Sequence, residues 1–142
     1  MDSWKLFALG SAFFAGLTAV LAKVGVKDIS SNLATFIRTV VIFIFLTVML
    51  SMRQEWRNPS LLSKKSLLFL VLSGLTTGLS WLCYYKALQV GPASLVAPID
   101  KLSLLVAVVL SVLFLGERLN FYTVVGVSLI FAGTMVVIFK SV

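Results

Sequence analysis

Long apolar stretches alternate with short polar segments along the chain. Five stretches have the roughly 20 mostly apolar residues that a helix needs to cross a bilayer. They lie at about 4–22, 33–52, 66–86, 93–115 and 121–139. The pattern predicts an all-α membrane protein with five transmembrane helices, built as one domain over residues 1–142. The lipid bilayer is therefore the first partner to expect.

Residues that favour helix ends lie between the predicted spans. Serine, asparagine and aspartate side chains cap helix N-termini, whereas glycine and proline end or interrupt helices. Such residues are Asp28, Ser30, Ser31 and Asn32 before the second span, Asn58, Pro59 and Ser60 in the longest loop, Gly91-Pro92 before the fourth span, Gly116 after it and Asn120 before the fifth.

The composition agrees with a membrane protein and argues against several classes of function. Hydrophobic residues make up 60% of the chain and charged residues 12%, against about 25% charged in an average globular protein. The net charge is +7, but the basic residues are dispersed or flank apolar stretches, so we expect no nucleic-acid partner. The chain has no histidine and no HExxH or nucleotide-binding glycine pattern. We therefore expect no enzyme, no cofactor and no metal site.

Basic residues near the span ends indicate orientation, because cytoplasmic loops are enriched in lysine and arginine. Six such residues lie on the side of the N-terminus and four on the other side, with Arg38 and Lys101 left out as intramembrane. The six are Lys5, Arg53, Arg57, Lys64, Lys65 and Arg118, and the four are Lys23, Lys27, Lys86 and Lys140. This balance favours a cytoplasmic N-terminus and leaves insertion in both orientations open.

Small residues recur at helical spacing within the spans. Such positions let helix backbones approach closely in lipid, and a cavity-lining face uses the same residue types, so both interpretations stay open. The positions we assign to helix packing are Gly16, Gly74, Gly78, Ser103, Ala107 and Ser111.

Ionisable residues lie in one leaflet of the predicted bundle. Burying one costs at least ~2.5–3.5 kcal/mol on insertion scales, so each usually faces protein or water. Tracing the chain through alternating crossings puts these residues at similar depth: Lys23, Arg38, Lys86, Asp100 and Lys101. Asp100 shares a helical face with Ser103. Asp100 either has a structural role, as an ion pair with Arg38 or Lys86 or as an acid near a helix N-terminus, or takes part in substrate or proton handling.

Two further features lie near the same depth. Pro98 lacks a backbone donor and is expected to kink or break the fourth span, and interrupted helices beside polar groups are typical of transporter sites. Trp81, Tyr84 and Tyr85 end the third span. These aromatic residues either form an interfacial belt or face a cavity, where they can hold an apolar or cationic group.

Three segments resemble a known family. The segment 80–94 (SWLCYYKALQVGPAS) resembles the junction between the third and fourth helices of the EamA-type domain. The segment 96–103 (VAPIDKLS) resembles a signature of its five-helix bacterial and archaeal transporter branch, and 113–119 (LFLGERL) resembles the loop between the fourth and fifth helices. The family belongs to the drug/metabolite transporter superfamily, and the likeness covers nearly the whole chain.

The resemblance implies a half-transporter unit. Larger members of the superfamily carry two five-helix units in inverted orientation, so the resemblance implies a homodimer that moves a small metabolite or drug-like solute across a bacterial or archaeal inner membrane. Related small multidrug-resistance proteins have an essential acid in the first helix, which this chain lacks. Asp100 is then the one buried candidate for proton coupling. The alternative is a non-transporting partner or regulatory subunit of a larger membrane complex.

The sequence therefore predicts one substrate and coupling site. Its residues are Asp100, Arg38, Lys86, Lys101, Trp81 and Tyr84. We expect them to surround a water-filled cavity, with Arg38 and Asp100 close enough in depth to pair.

Overall fold

The protein is all-α in the parts of the chain that the computed structural model describes, which are residues 3–56 and 62–140. The helices are α1 (Ser3–Gly25), α2 (Ser31–Arg53), α3 (Lys64–Val90), α4 (Ala93–Asp100), α5 (Ser103–Leu115) and α6 (Phe121–Lys140). Five segments are long and apolar enough to cross a membrane, with α4 and α5 together forming the fourth. This confirms the predicted spans, and the largest difference in their bounds is the end of α3 at Val90 rather than Lys86.

The fourth span is interrupted close to Pro98. α4 ends at Asp100, and a turn at Lys101 and Leu102 precedes α5. In this turn the Lys101 amide donates to the Pro98 carbonyl at 3.1 Å and the Leu102 amide to the Ile99 carbonyl at 3.0 Å. These bonds join residues three apart instead of four, so the α-helical ladder stops here. The interruption expected from Pro98 is confirmed.

The predicted caps define several helix ends. The Ser30 hydroxyl accepts a hydrogen bond from the Leu33 amide at 3.3 Å at the start of α2. The Asn120 side chain accepts one from the Thr123 amide at 2.7 Å at the start of α6. Gly116 ends α5 in the left-handed conformation, with φ of 66°, which glycine adopts without steric cost. Arg57 and the predicted break at Asn58, Pro59 and Ser60 lie outside the described residues.

The chain divides into two compact units. The first consists of the described residues of 1–21 and 91–142, and in it α6 packs against α4 and α5. The second consists of the described residues of 22–90, and in it α2 packs along α3.

The packed core of the second unit lies where α1 ends, α2 begins and α3 ends. Val26 and Leu88 are 1% and 0% exposed, and Tyr85 is also buried. Ala22 and Ala34 complete this core. Along the rest of α2 and α3 most large apolar side chains are exposed. Such surfaces are what a lipid-embedded helix presents, because its backbone groups are already satisfied within the helix.

Candidate functional site

Arg38 and Trp81 make the central contact of the second unit. Arg38 lies about 10 Å along α2 from Ser31, and Trp81 about 14 Å back along α3 from Val90. The two side chains therefore meet at similar depth. The Arg38 Cζ atom lies 3.1 Å from the centroid of the Trp81 ring. A guanidinium over an indole face is a cation–π contact, which stabilises a charge that would be costly in lipid without a partner.

Two tyrosines extend this contact along α3. Tyr84 and Tyr85 follow Trp81 by three and four residues, so they share its helical face. The Trp81 ring centroid lies 5.6 Å from that of Tyr84, edge to face, and 5.7 Å from that of Tyr85. We call Arg38, Trp81, Tyr84 and Tyr85 the cation–aromatic cluster. Tyr85 was not among the predicted site residues, although its spacing from Trp81 could have indicated it.

The cluster leaves the edge of the guanidinium available. The Arg38 guanidinium lies over the Trp81 ring. Within the described residues of 22–90, no protein group forms a hydrogen bond or an ion pair with this side chain. Arginine carries five N–H donors in one plane, and they match the two oxygens of a carboxylate or phosphate. The cluster can therefore bind an anion through the arginine edge.

A second set of polar contacts fixes the end of the unit next to the cluster. The Lys23 ammonium donates to the Leu88 carbonyl at 2.5 Å. The Gln89 side-chain amide donates to the carbonyls of Val26 and Ile29, at 3.3 and 2.6 Å. These bonds satisfy two carbonyls of the α1–α2 loop and one near the end of α3, and they hold the end of α1 and the loop against α3. Gln89 was missed by sequence reasoning, because one amide at the end of an apolar helix looks like an ordinary interfacial residue.

Asp100 and Lys101 form an ion pair in the first unit. The Lys101 Nζ atom lies 3.8 Å from an Asp100 carboxylate oxygen, and the two side chains are 53% and 39% exposed. Arg38 and Lys86 were the partners expected for Asp100, and the structure shows Lys101 in that role. Arg38 belongs to the second unit, so its pairing with Asp100 stays a prediction, as does one shared cavity.

Thr134 of α6 supports the interruption of the fourth span. Thr134 is 4% exposed, and its hydroxyl lies 3.4 Å from the Pro98 carbonyl and 2.9 Å from the Ile130 carbonyl. The Pro98 carbonyl also accepts from the Lys101 amide. The threonine thus adds a contact at the end of α4, close to where the helical hydrogen bonding of the fourth span is interrupted. Sequence reasoning missed Thr134, because threonine in an apolar helix is common and usually bonds only its own helix.

Lys86 lies away from the aromatic face of α3. It follows Trp81 by five residues, which places it about 140° around the helix, and it is exposed. The role predicted for Lys86 stays a prediction.

The predicted packing residues are largely open in this single chain. A Cβ atom added at Gly16, Gly74 or Gly78 would meet nothing within 4 Å. Ser103 and Ala107 are exposed, and the Ser111 hydroxyl donates to the Val108 carbonyl of its own helix. Their role in packing helices stays a prediction.

Among the described residues, no three histidine, cysteine, aspartate or glutamate side chains come together as a metal site. The chemistry available is therefore that of charged, aromatic and hydroxyl groups within apolar helices. With an interrupted fourth span and ionisable groups inside the spans, these features define a multi-pass membrane protein of the transporter type.

Comparison with known proteins agrees with this class. The chain matches the EamA-like transporter family over residues 2–139 and belongs to that family. It is 50% identical over 134 residues to an uncharacterized transporter in the cobO 3' region of Sinorhizobium sp., covering 94% of this chain and 95% of the relative. It is 28% identical over 133 residues to an uncharacterized protein of Methanocaldococcus jannaschii, covering 94% of each. No solved structure matches the chain.

Proposed function

We propose that the chain is a five-helix secondary transporter unit that moves a small metabolite or drug-like solute across the inner membrane as a homodimer. The observation that carries this proposal is the interruption of the fourth span directly after Asp100. Broken helices with a charged group at the break form substrate and ion sites in secondary transporters, because the unpaired backbone and the charge both face the site. Membership of a transporter family supports the same function.

Asp100 is the residue we propose for coupling. Its carboxylate lies 3.8 Å from the Lys101 ammonium, at the end of α4. In this proposal, a solute that draws the lysine away from the carboxylate exchanges for a proton at Asp100. Uptake or release of this proton then accompanies solute movement.

A second copy is proposed because the sequence predicts that the ionisable groups within the spans of one chain lie in a single leaflet. An inverted copy provides the other half of a path, as inverted repeats do within larger transporters. The charge balance of six against four permits both orientations. Gly74 and Gly78 on α3 have no neighbouring atoms within 4 Å of an added Cβ atom, so a helix of a second copy can approach this surface closely.

Ligand-dependent stabilisation followed by exchange tests the proposed function. Purified protein is heated with amino acids, nucleotide sugars, organic anions and quaternary ammonium compounds, and a binder raises the melting temperature by mass action. Each binder is then loaded into proteoliposomes, and counterflow of the labelled compound is measured against empty liposomes. Counterflow that requires the protein supports transport. Binding with no counterflow for any binder contradicts transport and favours a non-transporting subunit.

Crosslinking tests the homodimer. In a Cys83→Ser background, one cysteine is placed at Gly74 and, in a control, at Leu72, which lies about 160° around α3. Short bismaleimide reagents should join two copies through Gly74→Cys in native membranes and join far fewer through Leu72→Cys. An active protein that is strictly monomeric in nanodiscs contradicts the homodimer.

A further inference from the structure

We propose that the cation–aromatic cluster is an anion site, in which the edge of Arg38 binds the carboxylate or phosphate group of the transported solute. The inference rests on the proposed transport function, since it names the substrate class of that transporter. It is carried by one juxtaposition: the Arg38 guanidinium lies over the Trp81 ring, while its N–H donors have no hydrogen-bond acceptor within the described residues of 22–90.

The stacking prepares the arginine for binding. The five N–H donors of a guanidinium form hydrogen bonds with oxygen acceptors, and an indole ring provides no such acceptor. The contact with Trp81 also restricts the side chain before a ligand arrives. Less conformational entropy is then lost when two parallel N–H···O bonds form with a carboxylate or phosphate.

The charges around the cluster favour an anion over a cation. Residues 22–38 and 81–90 contain four basic side chains and one acidic side chain, Asp28. The basic residues are Lys23, Lys27, Arg38 and Lys86, of which Lys86 lies on a different face of α3 from Trp81. A cationic solute would be repelled by this excess, and the aromatic face best suited to hold it, that of Trp81, already carries Arg38. Electrostatic attraction in a weakly hydrated site strengthens the preference for an anion.

An anion at this position has two possible sources, a solute or a lipid headgroup. Arginine side chains near helix ends extend outward to reach lipid phosphates. Arg38 instead lies about 10 Å inside α2 from Ser31, and its guanidinium is held at that depth by Trp81. This geometry favours a solute that enters the bundle.

Fluorescence of Trp81 provides the test. The chain has three tryptophans, so Trp4→Phe with Trp56→Phe leaves Trp81 as the single reporter. This protein, in nanodiscs of neutral phosphatidylcholine, is titrated with inorganic phosphate and with succinate at constant ionic strength. We expect a saturable change in Trp81 emission with at least one anion, and no saturable change with choline chloride.

Arginine variants in this reporter background show whether the anion binds at Arg38. Arg38→Gln should raise the Kd for the anion at least about tenfold, because the positive charge and the paired N–H donors of the guanidinium are both lost. Arg38→Lys should weaken binding less than Arg38→Gln, since lysine keeps the positive charge and loses only the planar pair of N–H donors. Arg53→Gln is the matched control on the same helix and should leave the Kd unchanged. Absence of saturation with both anions, or equal loss in Arg38→Gln and Arg53→Gln, overturns the anion site.

Anionic nanodiscs distinguish the two sources. If phosphatidylglycerol alone shifts Trp81 emission in the Arg38 protein and abolishes binding of soluble anions, the ligand is a lipid and the solute assignment is overturned. The counterflow assay gives an independent result for transport. Counterflow of a non-anionic solute without anion binding leaves the proposed function standing and rejects this inference. Anion binding without any counterflow rejects transport, and with it the assignment of the anion to a transported solute.

Discussion

The contact between Arg38 and Trp81 makes a quantitative prediction about stability. Cation–π contacts contribute about 0.5–1 kcal/mol at exposed sites and about 2 kcal/mol when desolvated. Both side chains are half-buried, so we expect a coupling energy of about 1–2 kcal/mol between them. Trp81 also contacts Tyr84 and Tyr85, and each aromatic pair adds roughly 0.5–1.5 kcal/mol. Trp81→Leu should therefore cost more than Arg38→Gln.

A double-mutant cycle isolates the coupling term. Unfolding by dodecyl sulfate in mixed micelles, followed by circular dichroism, gives free energies for the parent, Arg38→Gln, Trp81→Leu and the double variant. The loss of unfolding free energy in the double variant should be smaller than the sum of the losses in the two single variants, by about 1–2 kcal/mol.

The pair Arg53 and Glu55 provides the control cycle. Their side-chain atoms are 3.8 Å apart, and the side chains are 66% and 56% exposed. Such a solvated pair should couple by no more than about 0.5 kcal/mol. If the Arg38–Trp81 cycle gives a coupling equally close to zero, the contact does not stabilise the protein and the reasoning about the cluster is wrong.

Three further predictions concern packing, backbone and topology. Leu88→Ala should cost about 1–3 kcal/mol in the same unfolding assay, since it leaves a cavity, whereas exposed Leu79→Ala should cost far less. Gly116→Ala should lose about 1–2 kcal/mol from its positive φ, while the helical Gly126→Ala, with open space around its Cβ, should lose nothing. Reporter fusions should place the 53–65 loop mainly in the cytoplasm and the C-terminus across the membrane; termini found exclusively on one side contradict five spans.

The spans were predictable from sequence because lipid imposes a simple constraint. A segment such as 121–139 has no charge, and a bilayer accepts it only as a helix. Pro98 was equally informative, since a proline removes one backbone donor and favours a kink or break in a helix. The turn lies at Lys101 and Leu102, and the Pro98 carbonyl before it contacts Thr134 of another helix. Periodicity within one span does not reveal such a contact.

The candidate site was predictable in its residue types and less in its contacts. The cost of burying charge identified Arg38 and Asp100 as special positions. That Arg38 stacks on Trp81 follows from how α2 and α3 pack, and no pattern within either helix specifies it. Gln89 shows the same limit, because its bonds to Val26 and Ile29 depend on the path of the loop between α1 and α2.

The central claim is that the chain transports a solute in a process coupled through Asp100. The most direct measurement is uptake of a solute found by the stabilisation screen into proteoliposomes, with and without an imposed pH gradient. Asp100→Asn should abolish the gradient-driven uptake and retain binding and exchange, while Glu117→Gln, an acid outside the helices, should behave as the parent. Gradient-driven uptake that survives Asp100→Asn, or that requires no protein at all, contradicts the account.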